Sequence, residues 1–229
     1  MYYFDVPRLA LSDREVERVR RDAVRAAKEL FRQGGAEALS LRSVAAETGF
    51  STGGLYRYFP GGRDEILAAV RLDALVLLDR LLWEAIEKAH DPIEGLTLLA
   101  DALFQFATGH STEYELLCVY TEGDWELLPE LAERNEALWK PLESVLEQGV
   151  VAGVFEGNPR VLARSFYAAM MGALTIFLSD EDDPLLSIEP LRKSLFGLLI
   201  RGATPLAHLI EREGPSTRAA NGCGQEKLL

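Results

Sequence analysis

Cysteine is scarce: Cys118 and Cys223 are the only two in 229 residues, too few and too far apart for a disulfide framework or a metal-ligand spacing. The three histidines, His90, His110 and His208, are equally scattered. No nucleophile motif, phosphate loop or dinucleotide fingerprint is present, so the expectation is a protein that is not an enzyme and needs neither metal nor cofactor. No window approaches the ~20 uncharged apolar residues of a membrane helix, and Met1 to Leu11 lacks the basic and apolar blocks of a signal peptide. A cytoplasmic protein without a membrane partner is expected. Strand signals do not alternate with helix signals, and there is no internal repeat.

Apolar residues make up 48% of the chain and charged residues 26%, enough to build a packed core and too apolar for disorder. The net charge of -12 argues against a nucleic-acid partner, because DNA affinity comes largely from neutralising phosphates. Mapping the charge removes the objection. Residues 1–72 carry 12 Lys+Arg and 10 Asp+Glu, whereas residues 73–229 carry 12 and 26, so the two parts have net charges of +2 and -14. The first part can present a basic face, and the second must lie away from DNA.

The chain reads as helix after helix, an all-α fold. Asp13 to Gln33 repeats Val16, Val19, Ala23, Ala27, Leu30 and Phe31 at helical spacing after the cap candidate Ser12, and Gly34-Gly35 stops it. A short helix over Leu41–Thr48 follows, with Ser40 as its cap and Gly49 just beyond it. Another opens at Ser51, runs to about Phe59 and ends at Pro60-Gly61-Gly62. Arg63–Ala89 then forms a rod of roughly 40 Å. Further helices are expected over Pro92–Thr108, Thr112–Tyr120, Trp125–Ala152, Pro159–Leu178 and Ile188–Glu211. An acidic loop at Ser179–Pro184 and a Gly-rich disordered tail complete the chain.

The informative segment is residues 40–59. Leu41, Val44 and Ala45 form the inner face of the first short helix, Gly49 allows positive φ at a tight turn, and Phe50 plugs the gap between the helices. Leu55 and Phe59, four apart, point inward, while Thr52, Gly53, Gly54, Tyr56, Arg57 and Tyr58 occupy the outer side. Two short helices at a sharp angle result, the second fit to enter a major groove N-terminus first.

The segment resembles the TetR family of bacterial regulators at Ser40, Val44, Ala45, Gly49, Phe50, Ser51, Gly53, Leu55, Tyr56, Tyr58, Phe59 and Pro60. The close resemblance covers about 60 residues; beyond them it is one of length and helix order. It implies that Thr52, Gly53 and Tyr56 face bases and that Arg57, Tyr58, Ser40, Arg42 and Ser43 contact phosphates. Gly54 and the apparent one-residue insertion in Gly61-Gly62-Arg63 depart from the family pattern, and Arg63 stands where a phosphate-binding lysine is usual. Arg14, Arg18, Arg20, Arg21 and Arg25 interleave with acids and read as a solvated face.

The expected domains are a helix-turn-helix at 1–62, a helical ligand-binding and dimerisation domain at 63–212, and a tail at 213–229. One short recognition helix binds weakly, and such helices commonly read two half-sites from a homodimer. The apolar stripes of the last two helices, with Phe177, Leu191, Leu195, Leu198, Leu199 and Leu206, are the expected dimer interface. Phe104, His110, Tyr114, Tyr120, Trp125, Trp139, Phe166 and Met170 combine large apolar bodies with a few polar tips, as a pocket for a largely apolar small molecule requires. The acids Asp101, Glu113, Glu115, Glu122 and Asp124 read as solvated surface. Together these features describe a repressor of double-stranded operator DNA, released by an inducer through the long fourth helix; a helical protein-interaction adaptor is the alternative.

Overall fold

The computed structural model describes residues 12–119, 128–179 and 188–205, and every regular element among them is helical. The elements are α1 (Asp13–Ala38), α2 (Leu41–Thr48), α3 (Thr52–Leu55), α4 (Gly62–Ile86), α5 (Pro92–Gly109), α6 (Ser111–Tyr114), a π-helical turn (Glu115–Val119), α7 (Pro129–Ala137), α8 (Lys140–Val151), α9 (Pro159–Ser179) and α10 (Ile188–Ala203). Tyr120, Trp125, Leu206 and the expected tail lie outside the described residues, as does the side chain of Leu191.

By packing, the chain forms two compact units. One compact unit takes residues 1–90 and 95–142, the other 91–94 and 143–229. The reason is visible in the core of the first unit. Val19, Ala23, Ala27 and Phe31 of α1 pack with Val44 and Ala45 of α2, with Leu55 and Phe59, and with Ile66, Leu67 and Val70 of α4. Leu116 of the π-helical turn joins the same cluster, fully buried. A second cluster binds α4 through Ala68 and Leu75 to Leu131 of α7.

Several boundaries moved for identifiable reasons. α1 is kinked at Gly34 and at Gly35 (φ 63°, ψ -160°), so the glycine pair ends the straight helix as expected but a further turn continues to Ala38. The helix expected over Trp125–Ala152 is two helices. α8 begins at Lys140 with Pro141 in its first turn, where a missing N–H is harmless and where it could not continue a helix arriving from α7. The helix expected over Thr112–Tyr120 changes from α to π winding at Glu115.

In the second unit α9 packs on α10, with Phe166 and Phe196 meeting edge to face at 6.3 Å and 71°. The loop between α8 and α9 is anchored by the amide of Glu156, which donates to the Ala203 carbonyl at 2.7 Å. Over Pro159–Leu178, which includes Arg160 and Arg164, α9 has a window of mean hydropathy 1.6, long and apolar enough to cross a membrane by length and composition, and 28% of that window is buried.

Candidate nucleic-acid interface

The turn between α2 and α3 is built by local chemistry. The Ser40 hydroxyl accepts from the Ser43 amide at 3.0 Å, and the Ser43 hydroxyl accepts from the Ser40 amide at 2.9 Å, a reciprocal capping box that opens α2. Gly49 closes α2 in the left-handed region at φ 72°. Ser51 caps α3 by accepting from the Gly54 amide at 3.0 Å. Regular α winding stops at Leu55, earlier than expected, because two adjacent glycines hold the backbone weakly. The amides of Arg57, Tyr58 and Phe59 still bond back to the carbonyls of Gly54, Leu55 and Leu55, so the segment remains coiled to Phe59.

Leu55 and Phe59 are completely buried and fasten this coil to the core. The opposite side is open. Tyr56 is 53% exposed, and Gly53, Arg57 and Arg42 are exposed as well. A methyl group added at Gly53 would meet nothing within 4 Å. Among the described residues no hydrogen bond or ion pair engages the guanidinium of Arg42 or of Arg57. Thr52 is half-buried at the start of the coil.

Other expected contact residues are partly committed to the protein itself. The Ser43 hydroxyl also donates within reach of the Ala38 carbonyl at 2.8 Å, so both serines serve the helix start. Tyr58 is half-buried against the core, and its carbonyl accepts from Arg20. Arg63 is engaged within the protein: its Nε donates to the Leu39 carbonyl at 2.9 Å and its Nη2 to the Ala36 carbonyl at 3.0 Å. It satisfies carbonyls left open where α1 ends.

The insertion has a structural role. Gly62 sits at φ 66°, and a side chain there would meet the ring of Tyr56 at 3.7 Å from Cε1. The Gly61 amide donates to Glu65 at 2.9 Å, closing the turn into α4. The positive φ of Gly62 is what calls for glycine in this turn, since Gly61 at φ -76° and the 3.7 Å approach to Tyr56 would admit a side chain.

Two sequence expectations about charge are corrected. Arg20 does not belong to a solvated face: it donates to Glu65 at 3.1 Å and lies over the Phe59 ring. Arg21 and Arg25 do pair locally on the surface, with Glu17 and Asp22. Glu113 is buried, and its carboxylate accepts from Lys28 Nζ at 2.7 Å. Burial pushes the Glu113 carboxyl up, but donation from Lys28 and its own amide, with the charges of Lys28 and His110, outweighs this and holds it below the ordinary carboxylate range.

The expected ligand residues fall in both units. Phe104 and Tyr114 are buried, His110 and Trp139 half-buried, all in the first unit; Phe166 and Met170 are buried in the second. Burial, with a smaller contribution from Cys118, raises the Tyr114 phenol to about 12. His110 stacks at 5.8 Å on Phe106 and lines an open groove with Lys28, Thr48 and Glu113. Of the expected dimer residues, Leu198 is 66% exposed, while Phe177, Leu195 and Leu199 are half-buried. The buried Arg71 and Leu116 went unnoticed in the sequence, since a lone arginine in an apolar helix carries no spacing signal.

Residues 23–70 match the profile of the bacterial regulatory proteins of the tetR family. The chain is 28% identical over 72 residues to the HTH-type transcriptional regulator YxaF of Bacillus subtilis, a match covering 31% of this chain and 38% of that protein. In fold it is similar to a protein from Rhodococcus sp. RHA1 (TM-score 0.71, 20% identity, 87% of this chain and 99% of the other). It is also similar to a TetR/AcrR regulator of Thermobifida fusca (0.62, 20%, 80% and 97%). A third similar structure is the regulator FadR of Bacillus subtilis in complex with stearoyl-CoA (0.65, 19%, 80% and 98%).

Proposed function

The chain carries the DNA-binding domain of the TetR family of transcriptional regulators, and on that premise we propose that it is a repressor that binds a palindromic operator as a homodimer and releases it on binding a small-molecule inducer. The observation that carries the reading is the two-sided coil from Thr52 to Phe59. Its inner side is sealed by Leu55 and Phe59, and its outer side offers an exposed Tyr56 and an Arg57 whose guanidinium has no protein partner among the described residues. Such a coil presents a donor-rich edge to bases and a guanidinium to phosphate. Thr52 and Gly53 face bases beside Tyr56, and Arg42, with the α2 start at Ser40 and Ser43, meets the phosphate backbone.

The second copy covers the apolar outer side of α9 and α10. Val161 and Ile176 of α9 and Leu198 of α10 are exposed at 62%, 43% and 66%, apolar surface that a second copy would remove from water. Phe177, Leu191, Leu195 and Leu199 belong to the same two helices, and Leu206 is assigned to this surface from the sequence alone. The inducer is largely apolar and is held by aromatic residues of the C-terminal part; a fold shared with a regulator that binds stearoyl-CoA supports this class. Its binding shifts α4 between two settings and so changes the spacing of the recognition helices. A DNA target places the protein's work in the cytoplasm.

The test is selection of a duplex from a random-sequence pool, followed by affinity measurement across a salt series. Expected are a two-fold symmetric consensus, a steep salt dependence, and loss of binding in a still-dimeric Tyr56→Ala, Arg57→Ala double variant. Recovery of no consensus, or binding that survives the double variant, overturns the reading.

A further inference from the structure

In the first unit a segment of π winding touches the DNA-binding core at two points, and the residue Glu113 just before it supplies a third. Residues 115–119 form a π-helical turn directly after α6. Within it, the Leu116 side chain is fully buried in the same cluster as Val19, Ala27, Val44, Leu55 and Phe59. The Leu116 carbonyl accepts from Nε of Arg71 at 3.1 Å, and Arg71, midway along α4, is itself fully buried. Just before the turn, Glu113 is paired with Lys28 of α1. A π turn fits an extra residue into a helix, and single π turns recur at functional sites. Rewinding 115–119 as α-helix would rotate the residues on one side of it by roughly 100° relative to those on the other. The Leu116 side chain and carbonyl then cannot both keep their partners while Glu113 keeps Lys28.

We propose that this π-helical turn is a register switch: Arg71 holds it in π winding through the Leu116 carbonyl, and rewinding to α withdraws Leu116 from the core beneath the recognition coil. The inference rests on the ligand-responsive reading above and deepens it, since it names the element through which ligand occupancy reaches residues 41–59. Arg71 is a positioning residue in this scheme; it touches neither DNA nor inducer. The switch adds to the motion of α4 a mechanical reason for it, because Arg71 of α4 is bonded to the Leu116 carbonyl of the turn.

The test removes the extra residue. Val119 is 59% exposed, so its deletion discards little packing while leaving the turn only enough chain for α winding. Amide hydrogen exchange is followed in the full-length protein, without any ligand, for residues 115–119 and 41–59, and affinity is measured for the selected operator duplex. In the deletion variant exchange at 115–119 slows, exchange at 41–59 changes by at least about 5-fold, and operator affinity moves by a comparable factor. Arg71→Lys, too short to reach the Leu116 carbonyl in the same pose, speeds exchange at 115–119 and also moves 41–59; it serves if the deletion variant does not fold. Exchange changes confined to 110–119, with 41–59 and operator affinity within about twofold of the parent in the folded variants, overturn the switch. A parent protein that selects no duplex defeats the functional reading instead, while the exchange data still decide whether the turn controls the DNA-binding core.

Discussion

The guanidinium carbon of Arg20 lies 4.5 Å from the centroid of the Phe59 ring, clamping the last residue of the recognition coil against α1. The same side chain donates to the Tyr58 carbonyl and to Glu65 on α4. One arginine thus joins three elements that have to hold a DNA-reading coil at a fixed angle.

Arg20→Ala is expected to lower stability by about 1–2 kcal/mol, combining a partly exposed cation–π contact with lost hydrogen bonds. Arg20→Lys keeps the charge and part of the contact, so it falls between alanine and wild type. Urea unfolding checks this; an unchanged midpoint for Arg20→Ala refutes the clamp.

Arg57 and Arg63 separate DNA contact from structure. Arg57→Gln should reduce the slope of log affinity against log salt by about 1, with stability unchanged. Arg63→Gln should leave that slope alone and lower stability, because its donors serve the carbonyls of Ala36 and Leu39. The reverse pattern would return Arg63 to the phosphate backbone.

Glu113 makes stability depend on acid. Its carboxyl is held below its usual range, so the Lys28 pair contributes fully above the unfolded carboxylate pKa and is lost as pH falls through the depressed value. Lys28 is partly solvated, with a side chain 41% exposed, so the contribution is about 1 kcal/mol or less. Glu113→Gln should flatten the stability profile on the acid side of the ordinary carboxylate range. An identical profile in the variant would show that the pair does not set it.

Gly149 carries a sharp packing test in the second unit. A Cβ there would come within 2.1 Å of Cδ2 of Phe155, a ring that is 2% exposed and has nowhere to move. Gly149→Ala should therefore cost about 1–3 kcal/mol, as overpacking does. In a Phe155→Ala background the same change should cost much less, and a thermal-unfolding double-mutant cycle measures the difference.

The helix starts and stops from Ser40 to Phe59 were legible in the sequence because their causes are local. A serine reaches an amide three residues on, Gly49 supplies the left-handed turn, and Leu55 and Phe59 meet on one side by helical spacing. The DNA-reading side follows from the same spacing, which is why Tyr56 and Arg57 emerge exposed as expected. The two adjacent glycines were visible too, though their shortening of regular winding at Leu55 was not.

Partners distant in the chain were decided only by tertiary structure. Arg20, Arg63 and Arg71 look alike in the sequence, yet each is claimed by a carbonyl or ring whose position depends on how helices far apart in sequence settle together. Leu116 joins a core some fifty residues before it, and Glu113, read as solvated, finds Lys28 instead. Local hydrogen bonding and periodicity set the elements and the exposed side of the coil proposed to meet DNA; desolvation, which acts only once helices have packed, selected which charges were withdrawn into the protein.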